Sequence, residues 1–371
     1  MEHGELCCAP PMTWVLVLDP PSGDPTLRVA GLALSLRLAL DAQAAGASAI
    51  VAPEAARSAD CLRDARLKLP VLASAPEGAR RVRVPANYVV FRGLFRRIAE
   101  HDAGRGDAPF ERDLSREVFP HAAPYGFDAF PVDDAKSRER AEAALFRALR
   151  KPEDGWTSRH LNRYISLALS RRLVDTPLTP NQISVGILGI GIAGACAAAS
   201  GTELGLPLGA LLLQTQSVLD GCDGEVSRIT YRGSKTGEWL DTIGDDLSNY
   251  GFFAGASWGL FRLTGSQLYL VAGATIVLAG ALVSAIEYSY LIKIGSGDLL
   301  KYPLSQGTNS GTGAFGRIAP LFKRDTFVLL TLLAAVVGVL GPVLFVFALA
   351  ALGILASVIA TEVRMRRQAS S

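Results

Sequence analysis

The sequence predicts a multi-domain protein, in which a small α/β N-terminal domain precedes an all-α domain of six transmembrane helices. The chain has 371 residues, 49% of them hydrophobic, and its mean hydropathy of +0.27 is high for a soluble protein. Long uncharged runs dominate from Ser184 onward. Residues 12–150, in contrast, hold most of the Arg, Asp and Glu and have no run long enough to cross a bilayer.

The N-terminal domain, residues 12–150, begins with alternating element types. Trp14–Leu18 is typical of a buried strand, Ala30–Ala45 of an amphipathic helix and Ala47–Ala52 of a second strand. Because this β-α-β order is characteristic of layered α/β structure, it predicts a small α/β layer.

Residues 151–178 form a linker, which starts with a turn at residues 151–156 and continues as an amphipathic juxtamembrane helix. Its apolar residues recur at helical spacing, with arginines largely opposite, and this pattern is typical of a helix lying at a membrane surface. An ordinary surface helix packed on a soluble core is the alternative. The apolar positions are Leu161, Tyr164, Ile165, Ala168, Leu169 and Leu173, and the basic ones are Arg159, Arg163, Arg171 and Arg172.

Residues 179–368 contain the predicted membrane domain. Its last uncharged run, Thr326–Thr361, has 36 residues and would form a helix of about 54 Å, against a hydrocarbon core of about 30 Å. We therefore expect a break at Gly341 and Pro342, which gives six spans in total. The other four uncharged runs are Ser184–Thr202, Leu204–Leu219, Leu247–Phe261 and Leu263–Ile286.

The placement of charge predicts the orientation of these spans. Basic residues precede the first span, lie between spans two and three and between four and five, and follow span six, whereas Arg262 is the exception on the opposite side. By the positive-inside rule, both termini of this multi-pass protein are expected on the cytoplasmic side.

Several function classes are disfavoured by composition. The net charge is only +2, so no nucleic-acid partner is indicated. The five cysteines have no repeated spacing, which disfavours a disulfide framework or a zinc site. Gly189, Gly191 and Gly194 match a dinucleotide-binding pattern but lie inside the first span, where small residues favour close helix contact instead.

Four aspartates stand at fixed spacing at the ends of the second and third spans. Asp220 and Asp223 are three residues apart, and Asp241 and Asp245 are four apart, so each pair projects from one helix face. Carboxylates facing one another repel unless a cation lies between them, and hard oxygen ligands suit Mg²⁺ or Mn²⁺. A solvated acidic loop is the alternative. Asp246, beside this series, is expected to cap a helix or pair with a basic residue.

The run from Asp220 to Asp245 resembles the motif of the CDP-alcohol phosphotransferase family, D-x2-D-G-x2-A-R-x8-G-x3-D-x3-D. Ser227 stands where the family usually has Ala, and Pro180-Asn181 is similar to the family's entry into its first span. The resemblance implies an integral membrane enzyme that transfers a phospho-alcohol from a CDP-alcohol to a second alcohol and releases CMP.

The resemblance and the chemistry of the residues assign roles to the motif. Asp245 is implied as the general base, and all four aspartates are expected to hold the divalent cation. Acceptor binding is assigned to Arg317, Lys323 and Arg324, although positive-inside charge explains these residues equally well. The expected nucleotide-binding residues are Asp220, Asp223, Gly224, Ser227, Arg228, Gly237 and Asn181.

The N-terminal domain is similar to the cytidylyltransferase domain that is fused to di-myo-inositol-phosphate-phosphate synthases. The similarity lies in residues 29–34, in the helix that follows them and in residues 130–155. A working cytidylyltransferase needs a glycine-rich loop for the triphosphate, yet residues 18–28 contain one glycine and three prolines. We therefore expect a degenerate domain that docks, positions or regulates.

Three hypotheses for the whole chain follow. The first is transfer to a polyol phosphate such as inositol phosphate, and the second is a phospholipid synthase that uses CDP-diacylglycerol. The third is a catalytically silent membrane scaffold, against which the intact aspartates argue. The expected partners are the CDP-alcohol donor, the acceptor and the lipid bilayer, with a homodimer left open.

Overall fold

A computed structural model of the chain describes residues 14–20, 27–52, 60–102, 111–114, 129–150, 155–303 and 324–370. The chain divides into two compact units. The N-terminal unit comprises residues 1–149 with the short segment 229–231, and the C-terminal unit comprises the remainder.

The N-terminal unit contains a five-stranded parallel sheet of order β5-β4-β1-β6-β8, which confirms the predicted α/β layer. Two antiparallel pairs, β2 with β3 and β7 with β9, accompany it. The strands are β1 Trp14–Asp19, β2 Arg28–Val29, β3 Leu32–Ala33, β4 Ala49–Val51, β5 Val71–Leu72, β6 Arg80–Pro85, β7 Tyr88–Val90, β8 Glu111–Asp113 and β9 Ala129–Pro131. The helices are α1 Leu34–Ala44, α2 Arg92–Asp102 and α3 Ala135–Arg147.

The start of α1 corrects one sequence-based boundary. Ala30 and Gly31 have positive φ values of 48° and 75° and form the turn between β2 and β3. Left-handed backbone at two successive residues is incompatible with a helix. The helix therefore begins at Leu34, four residues later than predicted.

Both faces of the sheet are buried, with Val15 and Ala49 in a smaller cluster on one face and the larger core cluster on the other. Leu16 and Leu18 of β1 and Val82 of β6 are buried together with Phe95 of α2. The ring of Phe95 stacks on Trp14 with centroids 5.9 Å apart. Burial of these apolar side chains holds α2 against the sheet.

The first turn of α3 is fixed by a capping box. Asp134 accepts a hydrogen bond of 2.7 Å from the backbone N–H of Ser137, and the backbone N–H of Asp134 donates to the Ser137 hydroxyl oxygen at 2.9 Å. The Ser137 hydroxyl donates to the Asp134 carboxylate at 2.6 Å. These hydrogen bonds favour the charged carboxylate and hold the pKa of Asp134 below its usual value.

The C-terminal unit is helical. A π-helical turn, Ser158–Asn162, leads into α4, and six longer helices follow in the described residues. These helices are α4 Arg163–Leu173, α5 Pro180–Ala199, α6 Gly205–Thr230, α7 Lys235–Thr264, α8 Leu268–Ile294, α9 Arg324–Val337 and α10 Leu340–Ser370.

Among the described residues, three helices are long and apolar enough to cross a membrane: Pro180–Ala199, Leu268–Ile294 and Leu340–Arg367. This supports a membrane protein, but it does not establish the predicted count of six spans. The helices α6 and α7 are longer than α5 but carry the aspartates and other polar residues, which lower their hydropathy. The helix α9 has only 14 residues, which corresponds to about 21 Å.

The break in the last uncharged run lies at Gly338 rather than at Gly341 and Pro342. Gly338 has a φ of +82°, which glycine adopts without the steric cost of a Cβ. Pro342 falls in the first turn of α10, where its missing N–H leaves no intrahelical bond unmade.

The helix α4 has its apolar side facing outward. Tyr164 and Ile165 are 58% and 48% exposed, whereas Asn162, Ser166 and Ser170 are buried. A helix packed on a soluble core would bury the apolar side chains instead. Leu167 of the same helix is buried, and the placement of α4 at a lipid interface stays a prediction.

The helices α5 and α7 approach closely through glycines. A Cβ on Gly255 would lie 2.3 Å from the backbone oxygen of Ala195, and one on Gly259 would lie 2.1 Å from that of Ala198. On α5, a Cβ on Gly191 would lie 2.2 Å from the Ser248 hydroxyl oxygen. Of the three pattern glycines, Gly191 and Gly194 lie at close helix contacts, whereas a Cβ on Gly189 would meet no atom within 4 Å, so the helix-packing interpretation holds for two of the three positions.

We expect Gly259→Ala to lower the melting temperature of the detergent-solubilised protein, since the new methyl group must push α7 away from the α5 backbone. Such overpacking costs about 1–3 kcal/mol. Gly189→Ala is the matched control, because a Cβ there meets no atom within 4 Å and alanine favours helix. Equal melting temperatures for the two variants would contradict the packing account.

Candidate active site

The four motif aspartates lie on two consecutive helices. Asp220 and Asp223 belong to α6, and Asp241 and Asp245 belong to α7. Asp220 is close enough to repel Asp241 and Asp245 electrostatically, and Asp223 likewise repels both. The fold thus brings the four carboxylates within electrostatic range of one another.

A guanidinium group lies among these carboxylates. Arg324, the first residue of α9, donates to Asp245 Oδ2 and lies 3.4 Å from Asp220 Oδ2. Its other terminal nitrogen donates to Gln216 Oε1 at 3.0 Å. Gln216 Nε2 in turn donates to Asp245 Oδ1 at 3.0 Å. Arg324, Gln216 and Asp245 therefore form a closed ring of hydrogen bonds that connects α6, α7 and α9.

Asp223 is held from a different side. The hydroxyl of Ser184 on α5 donates to its Oδ2, and the backbone N–H of Gly224 donates to its Oδ1 at 2.5 Å. Asp223 is buried and interacts favourably with Arg228. Its carboxylate is thus fixed in orientation by α5 and by its own helix.

Gly224 and Gly237, the two glycines of the motif, allow other side chains to approach the backbone of α6 and α7 closely. A Cβ on Gly237 would lie 2.8 Å from Asn181 Oδ1, and one on Gly224 would lie 3.2 Å from Arg228 Nη1. Asn181 therefore lies beside the first turn of α7. The guanidinium of Arg228 lies against α6 itself.

The local sequence at the start of α5 fixes the position of Asn181. Thr179 and Gln182 form a capping box, and Pro180 occupies the first turn. Proline there is preorganised for the helix and lacks the N–H that would be unpaired. Ser227 lies near the end of α6, where its carbonyl accepts from the Arg232 N–H at 3.1 Å.

Sequence reasoning missed two participants, Gln216 and Ser184. Gln216 precedes Asp220 by four residues and so shares its helix face, a spacing that could have identified it. Ser184 follows Asn181 on α5, but its contact with Asp223 spans 39 residues, and no local spacing predicts it.

Of the two expectations for Asp246, helix capping is wrong, because the residue lies in the interior of α7. This residue accepts hydrogen bonds from the hydroxyls of Tyr288, at 2.7 Å, and Ser284 on α8. The Tyr250 hydroxyl lies 2.8 Å from that of Ser284. Asp246 therefore connects α7 to α8 through hydroxyl donors, and within the part of the chain that the structure describes it forms no ion pair with a basic residue.

Of the three residues assigned to the acceptor, only Arg324 falls within the described residues, and it contacts the aspartates. Arg317 and Lys323 lie outside the described residues, as do residues 151–154 of the predicted linker turn.

The carboxylates suit a divalent cation by their chemistry. In the described ranges, no three His, Cys, Asp or Glu side chains are arranged as a ready metal-binding group. Instead, the positive charge of Arg324 lies between Asp220 and Asp245 and offsets part of their repulsion. Carboxylate oxygens are the hard donors that Mg²⁺ and Mn²⁺ prefer, so the donor set matches these cations by type, while the Arg324 guanidinium pairs with two of the four carboxylates.

The helical unit and this site define a protein class: one with membrane-type helices and a group of aspartates contributed by two consecutive helices. No known protein-family model matches the chain. Over part of its length the chain is similar to the bifunctional IPC transferase and DIPP synthase of Thermococcus kodakarensis, with 41% identity over 124 residues, which are 33% of this chain and 28% of that protein.

Proteins of the same name from two other organisms are also similar. The Aquifex aeolicus protein is 38% identical over 130 residues, 35% of this chain and 29% of the relative. The Rubrobacter xylanophilus protein is 36% identical over 152 residues, 41% of this chain and 33% of the relative. These relatives confirm the predicted resemblance to the DIPP synthase branch of the CDP-alcohol phosphotransferases, although the matched stretch spans only a third or less of each of them.

Proposed function

We propose that the chain is a CDP-alcohol phosphotransferase, which transfers a phospho-alcohol from a CDP-alcohol to the hydroxyl of an inositol phosphate or a similar polyol phosphate and releases CMP. The observation that carries this proposal is the convergence of Asp220, Asp223, Asp241 and Asp245 from two helices. The relatives named as IPC transferase and DIPP synthase support inositol phosphate as the substrate class.

The four aspartates are the proposed holders of Mg²⁺ or Mn²⁺. When bound, the cation neutralises charge that develops on the diphosphate as CMP leaves. The protein contributes the placement of these ligands. Ser184 and the Gly224 N–H orient Asp223, and Gln216 orients Asp245.

Asp245 is the proposed general base for the attacking hydroxyl. Its two oxygens have different partners, Gln216 on one and Arg324 on the other. If the Arg324 guanidinium moves to the substrate, the oxygen it leaves becomes free to accept the hydroxyl proton, while Gln216 continues to hold the carboxylate. General bases act over hydrogen-bonding distances of about 2.6–3.2 Å.

Arg228 and Arg324 are the proposed contacts to phosphate. A guanidinium fork matches phosphate oxygens in pairs. Arg228 lies beside Gly224, which places it near Asp223 and therefore with the donor diphosphate. Arg324 lies beside Asp245, so we assign it to the phosphate of the acceptor whose hydroxyl Asp245 deprotonates. Asn181, Ser227 and Gly237 complete the proposed nucleotide-binding side.

The N-terminal unit is proposed not to make the CDP-alcohol. In parallel sheets of this kind, ligands bind beyond the carboxyl ends of strands where the strand order reverses, here between β1 and β6. Near those ends, Asp19 and Arg83 form an ion pair of 2.6 Å, so both charges are engaged within the protein. Together with the proline-containing sequence after β1, this pairing supports a docking, positioning or regulatory role.

The test is CMP release by the purified full chain in detergent with Mg²⁺. We expect release from CDP-inositol when inositol phosphate is present, and little from CDP-diacylglycerol with the same acceptor. CTP plus inositol phosphate should not replace CDP-inositol, because the N-terminal unit is proposed to be inactive. Release from CDP-diacylglycerol alone would favour a phospholipid synthase, and release from neither donor would reject the proposed function.

A further inference from the structure

A fully buried carboxylate lies on α6, two residues after Asp223. Glu225 is 0% exposed, and the proposed catalytic step does not use it. It accepts hydrogen bonds from Arg163 Nη1 at 2.7 Å, from the Ser166 hydroxyl at 2.8 Å and from the Ser170 hydroxyl at 2.7 Å. All three donors belong to α4, and with Glu225 they form a group that we call the latch.

The latch is the centre of a wider polar interface between α4 and α6. The thiol of Cys222 lies 3.6 Å from the Ser166 carbonyl oxygen, and Gln214 Nε2 lies 3.4 Å from Asn162 Oδ1. A Cβ on Gly221 would lie 3.1 Å from Arg163 Nη1 and 3.2 Å from the Ser166 hydroxyl. The glycine between Asp220 and Cys222 therefore lets α4 lie directly against the aspartate segment.

Simple packing does not require this arrangement. A buried carboxylate is costly unless it is paired and hydrogen-bonded, and apolar side chains of similar volume often stabilise as well or better. The latch instead provides directional bonds from three positions, two of them serines four residues apart on one helix face. Such bonds fix the rotation and axial position of α6 relative to α4.

The consequence concerns the neighbouring aspartates. Asp220 and Asp223 lie on the same stretch of α6 as Glu225, within about one and a half helical turns of it. We propose that Glu225 is a positioning residue, and that the latch holds α6 in the register in which Asp220 and Asp223 can bind a divalent cation. This inference rests on the proposed function.

The first test measures binding of Mn²⁺ alone to the full chain in detergent, by electron paramagnetic resonance. Residues that orient metal ligands typically contribute 10–100-fold to metal affinity or activity. We expect Glu225→Gln, which keeps the shape and removes the charge, to weaken Mn²⁺ binding about 10-fold. CMP release by this variant should recover toward the wild-type rate at saturating Mn²⁺, which an unfolded variant would not do. Glu203→Gln, at an exposed glutamate before α6, is the matched control and should bind as wild type.

The second test reports on the latch without using activity. In a chain whose other four cysteines are replaced by serine, Cys222 is buried beneath α4 and should react slowly with a maleimide. Glu225→Gln should accelerate labelling about 10-fold, in line with the loosening of a local structural element, and Glu203→Gln should not.

Unchanged Mn²⁺ affinity and unchanged Cys222 labelling in Glu225→Gln would overturn the inference, and so would faster labelling without weaker binding. A wild-type protein that binds no Mn²⁺ would contradict the proposed function and, with it, the positioning role. If the wild type binds no Mn²⁺, the rate of Cys222 labelling would still show whether the contacts between Glu225 and α4 form. Failure of the proposed function can therefore be told apart from failure of the latch.

Discussion

Asp223→Asn is expected to remove divalent-dependent CMP release while leaving the fold intact. Asparagine has nearly the same shape, and its carbonyl oxygen and amide group can still bond to the Gly224 N–H and the Ser184 hydroxyl. The variant lacks the negative charge that the cation requires. Since metal-ion catalysis supplies several kcal/mol of charge stabilisation, the rate should fall by about 100-fold or more.

The measurement for Asp223→Asn is initial-rate CMP release over a range of Mg²⁺ concentrations, with a thermal melt as the check on folding. Asp175→Asn provides the control, because Asp175 is exposed and lies between α4 and α5, outside the motif. Full turnover by Asp223→Asn, or by the wild type in excess chelator, would reject the metal-binding proposal.

Asp245→Asn is expected to slow the chemical step about 10²–10⁴-fold, the usual contribution of a general base, with only modest loss of donor binding. The asparagine keeps a hydrogen-bonding partner for Gln216 but cannot take a proton from the acceptor. Binding titrations and single-turnover rates, measured separately, distinguish the two effects.

Asp246→Asn is the matched control for Asp245→Asn. Asp246 is the adjacent residue on α7, yet its partners are Ser284 and Tyr288 of α8, so its effect on the chemical step should be far smaller. If binding collapses together with the rate in Asp245→Asn, the residue acts mainly as a metal ligand and the base lies elsewhere.

Much of the N-terminal fold could be predicted, because local patterns determine it. Trp14–Asp19 forms β1 and Ala49–Val51 forms β4, in agreement with the apolar runs. The error at the start of α1 arose from Ala30, which adopts a positive φ that is uncommon for alanine. The predicted break at Gly341 and Pro342 lies three to four residues after the observed one, which is at Gly338, directly after α9. Gly341 and Pro342 gave the stronger sequence signal because a glycine followed by a proline is typical of a helix break.

Only those parts of the candidate site that lie close together in the sequence could be predicted. The spacing of the aspartates on α6 and α7 follows from helix geometry, whereas the contact of Arg324 with Asp220 spans 104 residues and has no periodicity to reveal it. The alternation of apolar and basic residues in α4 predicted two helix faces, but it did not predict which face packs against the other helices. The fold buries Ser166 and Ser170 because Glu225 supplies their acceptor, a pairing fixed by tertiary structure alone.

The most direct test of the central claim is the stoichiometry of the reaction. Incubation of the full chain with Mg²⁺, CDP-inositol and inositol phosphate, followed by phosphorus NMR, should show one new phosphodiester for each CMP released. Removing the acceptor should suppress both signals together. Formation of CMP with free inositol phosphate in place of the phosphodiester, at the same rate with and without acceptor, would show hydrolysis and contradict the assignment of a phosphotransferase.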